Sequence, residues 1–256
     1  MWKKVLPIVS YGLAVTGVIC GVGLGVSKVP YPATFWAGRT WLVILLTVIA
    51  ALLPSLQAGL AKVGERRELR KLELEKQLRP VLVTPLVGAI KDCGGDPTDL
   101  SIQVLLVKRP WFGSGATWRH WRGVPRQVGV ARLGLSGLTS SGIAWTKNKG
   151  VIGLCWERQD EIWEILSDFQ ILAKTKEEDW TGWKTSKVYN LSYEEARKIG
   201  NKYATIAAVP MTDANGNYIG CLSLDSTKPL KHVEAAALRL RHAAEVASGV
   251  ILNHGK

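Results

Sequence analysis

Two long uncharged segments dominate the pattern of hydrophobic and polar positions near the start of the chain. Residues 5–26 contain no charged side chain, and residues 40–61 contain none either. Each segment has about the length that a helix needs to cross the hydrocarbon core of a bilayer, roughly 20 residues. The pattern therefore predicts two transmembrane helices, which make residues 1–61 a two-helix membrane anchor. A cleaved signal peptide is the alternative for residues 5–26, although its apolar region would be shorter and no second full-length segment would follow.

Positive charges are distributed unevenly around the two predicted spans. The loop between the spans carries only Lys28 and Arg39. The flanking segments, before the first span and in residues 62–79 after the second, carry Lys3, Lys4, Lys62, Arg66, Arg67, Arg70, Lys71, Lys76 and Arg79. Because loops rich in lysine and arginine stay in the cytoplasm, we expect a multi-pass protein of the bacterial inner membrane with both termini cytoplasmic. Residues 62–79 are predicted to form a basic helical stalk that also lies against anionic headgroups.

The rest of the chain, residues 80–256, alternates between helical and strand patterns. A second helical piece is expected over Val81–Lys91, where Pro80 and Pro85 should interrupt or kink the helix. Strands are expected over Ser101–Val107 and Gln127–Leu135, where apolar and β-branched residues are concentrated.

A β-hairpin is the clearest local prediction in this region. Residues 203–211 and 218–225 are rich in β-forming side chains, and an Asn-Gly pair lies between them in residues 213–217. Asn-Gly favours a tight primed turn in which both central residues have positive φ. Pro210, late in the first strand, should cost a ladder hydrogen bond or produce a bulge.

Two helices flank the predicted hairpin. Ser192 and Glu195 form a capping box, which starts a helix that runs to about Gly200. After the hairpin, residues 232–253 are predicted to form an amphipathic helix with apolar side chains on one face. That face carries Val233, Ala236, Ala237, Leu240, Ala244, Ala247 and Ile251.

Several of these segments resemble the GAF family of small sensory domains. The matching residues are Gly-Val-Ile-Gly at 150–153, read as a turn, Val-Pro at 209–210, Tyr-Ile-Gly-Cys-Leu-Ser-Leu-Asp at 218–225, and the helix that follows. The resemblance covers roughly Arg79 to the C-terminus. It implies an α+β fold for residues 80–256, with an antiparallel sheet, helices packed on one face and a ligand pocket on the other. It also implies that the polar segment between Trp163 and Leu191 forms a lid.

The sequence lacks the motifs of common enzymes. It contains no GxxxxGK[ST], HExxH or GxSxG motif and no metal-spaced cluster of histidines and cysteines. We therefore expect neither an enzyme nor a metal site, and no cofactor is assigned. The formal net charge of +12 suits either nucleic acid or an anionic membrane surface, and the two predicted spans favour the membrane.

Six residues are predicted to line a pocket for a small-molecule ligand: Trp156, Asp168, Trp180, Trp183, Tyr203 and Thr205. An apolar cavity with a few polar groups is the usual form of such a site. The alternative is that these tryptophans fill the core of a chain that contains only three phenylalanines. The Trp- and Arg-rich segment 111–126 is compatible with a packed hairpin loop, with a contact to the membrane or a partner, or with an anionic ligand.

Three functions are compatible with this sequence. The first is a membrane-anchored cytoplasmic sensor that passes a signal through its stalk helix. The second is a ligand-activated membrane effector, for example one that responds to a nucleotide signal, whose spans self-associate. Gly17, Gly21 and Gly25 form overlapping GxxxG patterns that favour such a homo-oligomer or, alternatively, close packing of the two spans of one chain. The third is a small-molecule reductase that uses Cys155 or Cys221, as some GAF relatives do, although the alternation around Cys221 is that of a buried small residue.

Overall fold

The computed structural model describes residues 16–17, 40–108, 124–134, 142–172, 174, 176–181, 189–200 and 202–254. The chain divides into two units, Met1–Leu72 and Glu73–Lys256. The predicted first span lies outside the described residues except for Thr16 and Gly17. Gly21, Gly25, Trp183 and most of the segment 111–126 also lie outside them.

The first unit contains the start of a long helix, α1, which spans Thr40–Cys93. Within the described residues, one helix is long and apolar enough to cross a membrane, and it covers Thr47–Cys93. Leu45, Val48, Leu52 and Leu56 are about half exposed, which suits contact with lipid better than contact with water. This helix corresponds to the second predicted span, so the described residues contain one membrane-helix candidate and not two.

Neither Pro80 nor Pro85 interrupts the helix, because α1 continues through both positions. The alternative expectation, a kink at these prolines, stays a prediction. A proline within a helix removes one hydrogen bond to the residue four positions earlier. Neighbouring side chains offset this loss by packing, since Leu78, Leu82 and Ala89 are almost completely buried.

The second unit contains a five-stranded antiparallel sheet in the order β2-β1-β5-β4-β3. Its strands are β1 (Leu100–Lys108), β2 (Arg126–Gly134), β3 (Ile162–Ile165), β4 (Thr205–Thr212) and β5 (Tyr218–Ser226). Its further helices are α2 (Gly150–Arg158), α3 (Ser167–Leu172), α4 (Glu177–Thr181), α5 (Tyr193–Gly200) and α6 (Val233–His254). The α+β class and the antiparallel sheet are therefore confirmed. The predicted turn at 150–153 is instead the start of α2, and β3 was not predicted.

Apolar cores lie on both faces of the sheet. The first face carries side chains such as Val209 and Leu222, which share a core with α6 and with residues 78–93 of α1. The second face carries Ile206, Ala208 and Cys221, which share a core with α2 and the short helices α3 to α5. The expectation of helices on one face only is wrong. Strand β4 carries apolar side chains at successive positions, so both of its faces have to be buried against other elements.

The predicted hairpin joins β4 to β5, but its turn differs from the expected one. Gly216 has a left-handed φ of 78°, whereas Asn215 before it does not. The carboxylate of Asp213 accepts hydrogen bonds from the backbone N–H groups of Asn215 at 2.9 Å and Asn217 at 2.8 Å. The connection is therefore an Asx-type loop and not a two-residue primed turn. The Asp213 side chain accepts hydrogen bonds from the backbone N–H groups of this longer loop. The register shifts between Met211 and Thr212, close to the position where Pro210 predicted a bulge.

The capping box at the start of α5 is confirmed. The Ser192 hydroxyl accepts a hydrogen bond from the Glu195 N–H at 3.3 Å, and the Glu195 carboxylate accepts one from the Ser192 N–H at 3.0 Å. Lys149, just before α2, donates a charged hydrogen bond of 2.8 Å to the same carboxylate. The box therefore also ties α5 to α2.

Replacing Ser192 by alanine is expected to lower the free energy of unfolding by about 1 kcal/mol, because the N–H of Glu195 loses its acceptor. The measurement is urea unfolding of the full chain in detergent micelles, followed by tryptophan fluorescence. Ser192→Thr keeps the hydroxyl and serves as the control. Equal stabilities for the alanine and threonine variants would contradict the role of the cap.

Candidate functional site

Five polar side chains lie together on the second face of the sheet, and we call them the polar floor: Ser101, Gln103, Arg132, Ser223 and Asp225. Ser101 lies opposite Asp225, and Gln103 lies opposite both Ser223 and Arg132. Side chains on a strand alternate between faces, so these residues share a face with the apolar residues Leu105 and Cys221. The second face is therefore apolar at one end of β1 and β5 and polar at the other.

Asp225 places a carboxyl group in the interior of the domain. Its side chain is 1% exposed. One carboxylate oxygen accepts a hydrogen bond from the Ser223 hydroxyl at 2.8 Å, and the other accepts one from the Gln103 amide at 2.9 Å. Burial raises the pKa of Asp225 from 3.8 to about 6, while the Ser223 hydrogen bond and the charge of Arg132 act to lower it. At neutral pH the floor consequently holds a buried carboxylate.

Arg132 supplies a positive charge beside this carboxylate. Its guanidinium donates a hydrogen bond of 2.7 Å to the Ser101 hydroxyl, and its side chain remains partly exposed. Within the residues that the structure describes, Arg132 acts on Asp225 through its charge and forms no hydrogen bond with it. Two opposite charges thus lie in the same floor without being paired directly.

Tyr203 adds a buried phenol near both charges. Burial raises the pKa of Tyr203 to about 12, and the negative charge of Asp225 adds to this, whereas Arg132 opposes it by charge and by a hydrogen bond. Tyr203 therefore stays protonated. The floor offers one acidic group, one cationic group and several neutral hydrogen-bonding groups, a set that suits binding of a polar small molecule.

The residues predicted to line a pocket are distributed over several places. The Trp156 ring, on α2, stacks on Tyr218 with ring centroids 5.8 Å apart. Trp180, on α4, is buried against Phe169 at 6.0 Å and near Tyr193 at 6.1 Å. Both tryptophans thus lie with aromatic neighbours, while Tyr203 lies beside the polar floor.

Thr205 points to the first face of the sheet. Its hydroxyl accepts a hydrogen bond from the Leu230 N–H at 3.0 Å and donates one to the Lys228 carbonyl at 3.4 Å. Asp168 lies within α3, and Trp183 is outside the described residues. Among the predicted residues whose side chains the structure describes, Tyr203 alone therefore lies beside the polar floor.

Sequence reasoning missed the members of the polar floor. The available signal was a polar residue at every second position in otherwise apolar strands, namely Ser101 and Gln103 in β1 and Ser223 and Asp225 in β5. Arg132 gave no comparable signal. The order of strands in the sheet, with β1 between β2 and β5, could not be predicted from the sequence, so these positions could not be placed together.

The two cysteines considered for catalysis are buried. Cys221 is completely buried, as its alternation predicted, and Cys155 is completely buried on α2. The Gln127 side-chain oxygen accepts hydrogen bonds from the Tyr218 hydroxyl at 3.0 Å and the Cys221 thiol at 3.2 Å. Burial raises the pKa of Cys221 well above its usual range, which disfavours the thiolate that a nucleophilic cysteine needs.

Among the residues that the structure describes, neither a metal cluster nor a large cavity accompanies the apolar half of the second face. Within the described parts of the chain, no group of three or more His, Cys, Asp or Glu side chains is placed to hold a metal ion. A cavity of about 10 Å³ lies among Trp145, Ile152, Phe169 and Ile206. This volume is about that of one water probe, so the described side chains around it are closely packed.

Comparison with known proteins gave matches among solved structures. No protein-family model and no curated protein matches the sequence. A type II free methionine-R-sulfoxide reductase from Thermoplasma acidophilum is 11% identical with a TM-score of 0.44, covering 72% of this chain and 96% of that one. The GAF domain of an Acinetobacter phosphoenolpyruvate-protein phosphotransferase is 15% identical with a TM-score of 0.41, covering 74% and 95%. Residues 122 to 287 of a methyl-accepting chemotaxis protein are 14% identical with a TM-score of 0.39, covering 73% and 96%.

Proposed function

We propose that this chain is a membrane-anchored cytoplasmic sensor of the GAF type, which binds a small molecule at the polar floor and passes a signal through α1. The resemblance of residues 209–210 and 218–225 to GAF sequences supports the type. The apolar, exposed part of α1 supports the membrane anchor, and the buried charges of the floor support ligand binding. Two spans, cytoplasmic termini and a homo-oligomer complete the proposal.

The observation that carries this proposal is that β5 contributes to the polar floor on one face of the sheet and to the core shared with α1 on the other. Ser223 and Asp225 point to the second face, whereas Leu222 and Leu224 point to the first. Leu222 and Leu224 belong to the same core as the α1 residues between Leu78 and Cys93.

A signal in this arrangement would pass through one strand. A ligand that displaces β5 at the floor would also change the packing of α1, because alternate side chains of one backbone serve both faces. The ligand can shift α1 only by as much as its affinities for the two arrangements differ. No chemical step is assigned to the protein, and the raised pKa of Cys221 supports a binding function over thiol chemistry.

The proposal is tested by isolating the full chain from membranes and identifying released small molecules by mass spectrometry. We expect the wild-type protein to retain a small molecule in near-equimolar amount and Asp225→Asn to lose it. Glu194→Gln, which changes an exposed carboxylate at the start of α5, is the matched control. Retention by Asp225→Asn equal to that of the wild type would refute binding at the floor.

A second measurement tests the signal. Hydrogen exchange of residues 73–93 is compared between the protein as isolated and the same protein after exhaustive dialysis. We expect faster exchange in this part of α1 after dialysis, because the core that it shares with β5 would pack differently. Identical exchange in both preparations would contradict transmission through α1, and recovery of the chain in the soluble fraction after alkaline extraction would contradict the anchor.

A further inference from the structure

Apolar side chains are exposed on the surface that α6 and residues 73–93 of α1 turn away from the sheet, and we call this surface the outer helical face. A groove of about 430 Å³ runs between the two helices, and its apolar lining comes from Val81, Pro85, Leu238, Ala243 and Val246. Leu238 and Val246 are nevertheless largely exposed. Val83 and Val87 are about half exposed, and they lie within one turn of Thr84, which also lines the groove. A patch of exposed apolar side chains of this kind marks a contact with another molecule.

The extent of the outer helical face favours a protein surface over a small ligand. The volume of the groove is within the range of ligand pockets, but such pockets enclose most of their ligand. A molecule confined to the groove would leave Val83 and Val87 exposed to water. A protein surface that covers both helices would bury these side chains together with Leu238.

The area of the outer helical face suits a protein interface. Helix α6 has 22 residues, so it is about 33 Å long at about 1.5 Å per residue, and each helix is about 10 Å wide. Two helices side by side therefore present roughly 650 Å². Contact between two such faces would bury roughly 1,300 Å² in total, and specific interfaces bury about 1,200–2,000 Å².

The two helices of this face are antiparallel. The Cys93 thiol, at the end of α1, donates a hydrogen bond of 3.4 Å to the backbone carbonyl of His232, just before α6 begins. The groove joins earlier residues of α1, such as Val81, to later residues of α6, such as Val246. Each position along α1 therefore has a defined counterpart at the same height on α6.

A second copy of the chain matches this surface in orientation and in charge. Because α1 continues from the proposed membrane anchor, two copies in one membrane share their direction, and a twofold axis between them runs along the helices. That axis places α1 of each copy against α6 of the other, with equal heights opposed, and every contact occurs twice. Lys91 and Glu234 are exposed at the same end of the face, so opposite charges would meet across the interface.

We propose that the outer helical face is the surface through which two copies of this chain pair, with α1 of each copy packed against α6 of the other. This inference rests on the proposed function and specifies its homo-oligomer. The four helices form an antiparallel bundle. The bundle closes the groove, buries Leu238, Val246, Val83 and Val87, and sets Lys91 opposite Glu234 of the other copy.

Photo-crosslinking of the full chain in isolated membranes tests which surfaces meet. p-Benzoyl-L-phenylalanine replaces Leu238 in one variant and Ile171, a residue of α3, in the control. The two positions are matched, because Leu238 is 64% exposed and Ile171 is 66% exposed. We expect irradiation to convert the Leu238 variant into a covalent dimer whose crosslinked peptide lies within residues 73–93, and the control to give no dimer above background. Crosslinks from position 238 to other proteins or to lipid alone would contradict the proposal.

Sedimentation equilibrium of the full chain in density-matched micelles measures the strength of pairing. Leu238→Glu and Val246→Glu should each weaken dimerisation at least about tenfold, because each substitution places two carboxylates in the apolar interface. Ile171→Glu is the matched control and should leave dimerisation unchanged. Circular dichroism verifies that each variant is folded, and the other variant decides if one does not fold.

An exchange of charges distinguishes this particular pairing from a general effect of added charge. Lys91→Glu should weaken dimerisation by about fivefold, because the new carboxylate meets Glu234 of the other copy at two symmetric places. Combining Lys91→Glu with Glu234→Lys should restore the dimer. A double variant as weak as Lys91→Glu alone would exclude the pairing of α1 with α6.

The results separate this inference from the proposed function. A monomeric wild-type chain, or a dimer that Leu238→Glu and Val246→Glu leave intact, would overturn the inference. Retention of a small molecule, measured by mass spectrometry on the same preparations, does not depend on pairing through this face. Its presence in a monomeric chain would leave ligand binding intact, and its absence from a dimeric chain would count against the sensor and not against the interface.

Discussion

Replacing Gly220 by alanine is expected to destabilise the domain by about 3 kcal/mol, because the new methyl group would be forced into the backbone of the neighbouring strand. Gly220 lies in β5, opposite Leu106 of β1 and Met211 of β4. A Cβ atom at this position would lie 2.0 Å from the carbonyl oxygen of Leu105. A backbone carbonyl cannot rotate away as a flexible side chain can, so the two central strands would have to separate.

The measurement is urea unfolding of the full chain in micelles, with Gly129→Ala as the matched control. Gly129 also lies in a strand, β2, but the nearest heavy atom to its added Cβ would be a Gln103 side-chain oxygen at 4.0 Å. The control should change stability by less than about 1 kcal/mol, since the added methyl group meets no close neighbour. If both variants have the same stability, close packing against the neighbouring strand does not explain why position 220 requires glycine.

The wild-type domain is expected to lose stability relative to the Asp225→Asn variant as the pH rises from about 4 to 7. Its pKa is 3.8 in the unfolded reference and about 6 in the folded protein, chiefly because of burial. The folded state therefore binds the proton more tightly. The resulting stabilisation is fully present below pH 3.8 and is lost as pH rises through 6. A gap of about two pKa units corresponds to about 3 kcal/mol.

This pH dependence is measured as the difference in unfolding free energy between wild type and Asp225→Asn across pH 4 to 7. Other carboxylates shift in the opposite direction. Hydrogen bonds lower the pKa values of Asp96, Asp99 and Asp213, which costs stability as pH falls. The asparagine variant retains these groups, so the difference isolates Asp225. A difference that does not change with pH would show that Asp225 is ionised as readily in the folded domain as in the unfolded chain.

Features that depend on neighbouring residues in the chain could be predicted from the sequence. The capping box at Ser192 and Glu195 needs two side chains three residues apart, and the helix after the hairpin needs one apolar face. The strands β1 and β2 and the hairpin between β4 and β5 follow from local composition and alternation. In each case the hydrogen bonds that define the element form within a few residues, or across one short turn, so the local pattern contains the necessary information.

The tertiary structure decided the features that depend on distant residues. Packing of Leu78 and Leu82 keeps α1 continuous through Pro80 and Pro85, against the local preference of proline. Helices cover both faces of the sheet because β4 is apolar on both sides. The polar floor exists because strand order places β1 between β2 and β5, which brings Arg132 close to Asp225. The sequence determined which residues are polar, and the register between strands determined which of them share one buried surface, because that register is fixed by packing of the whole domain and not by local preference.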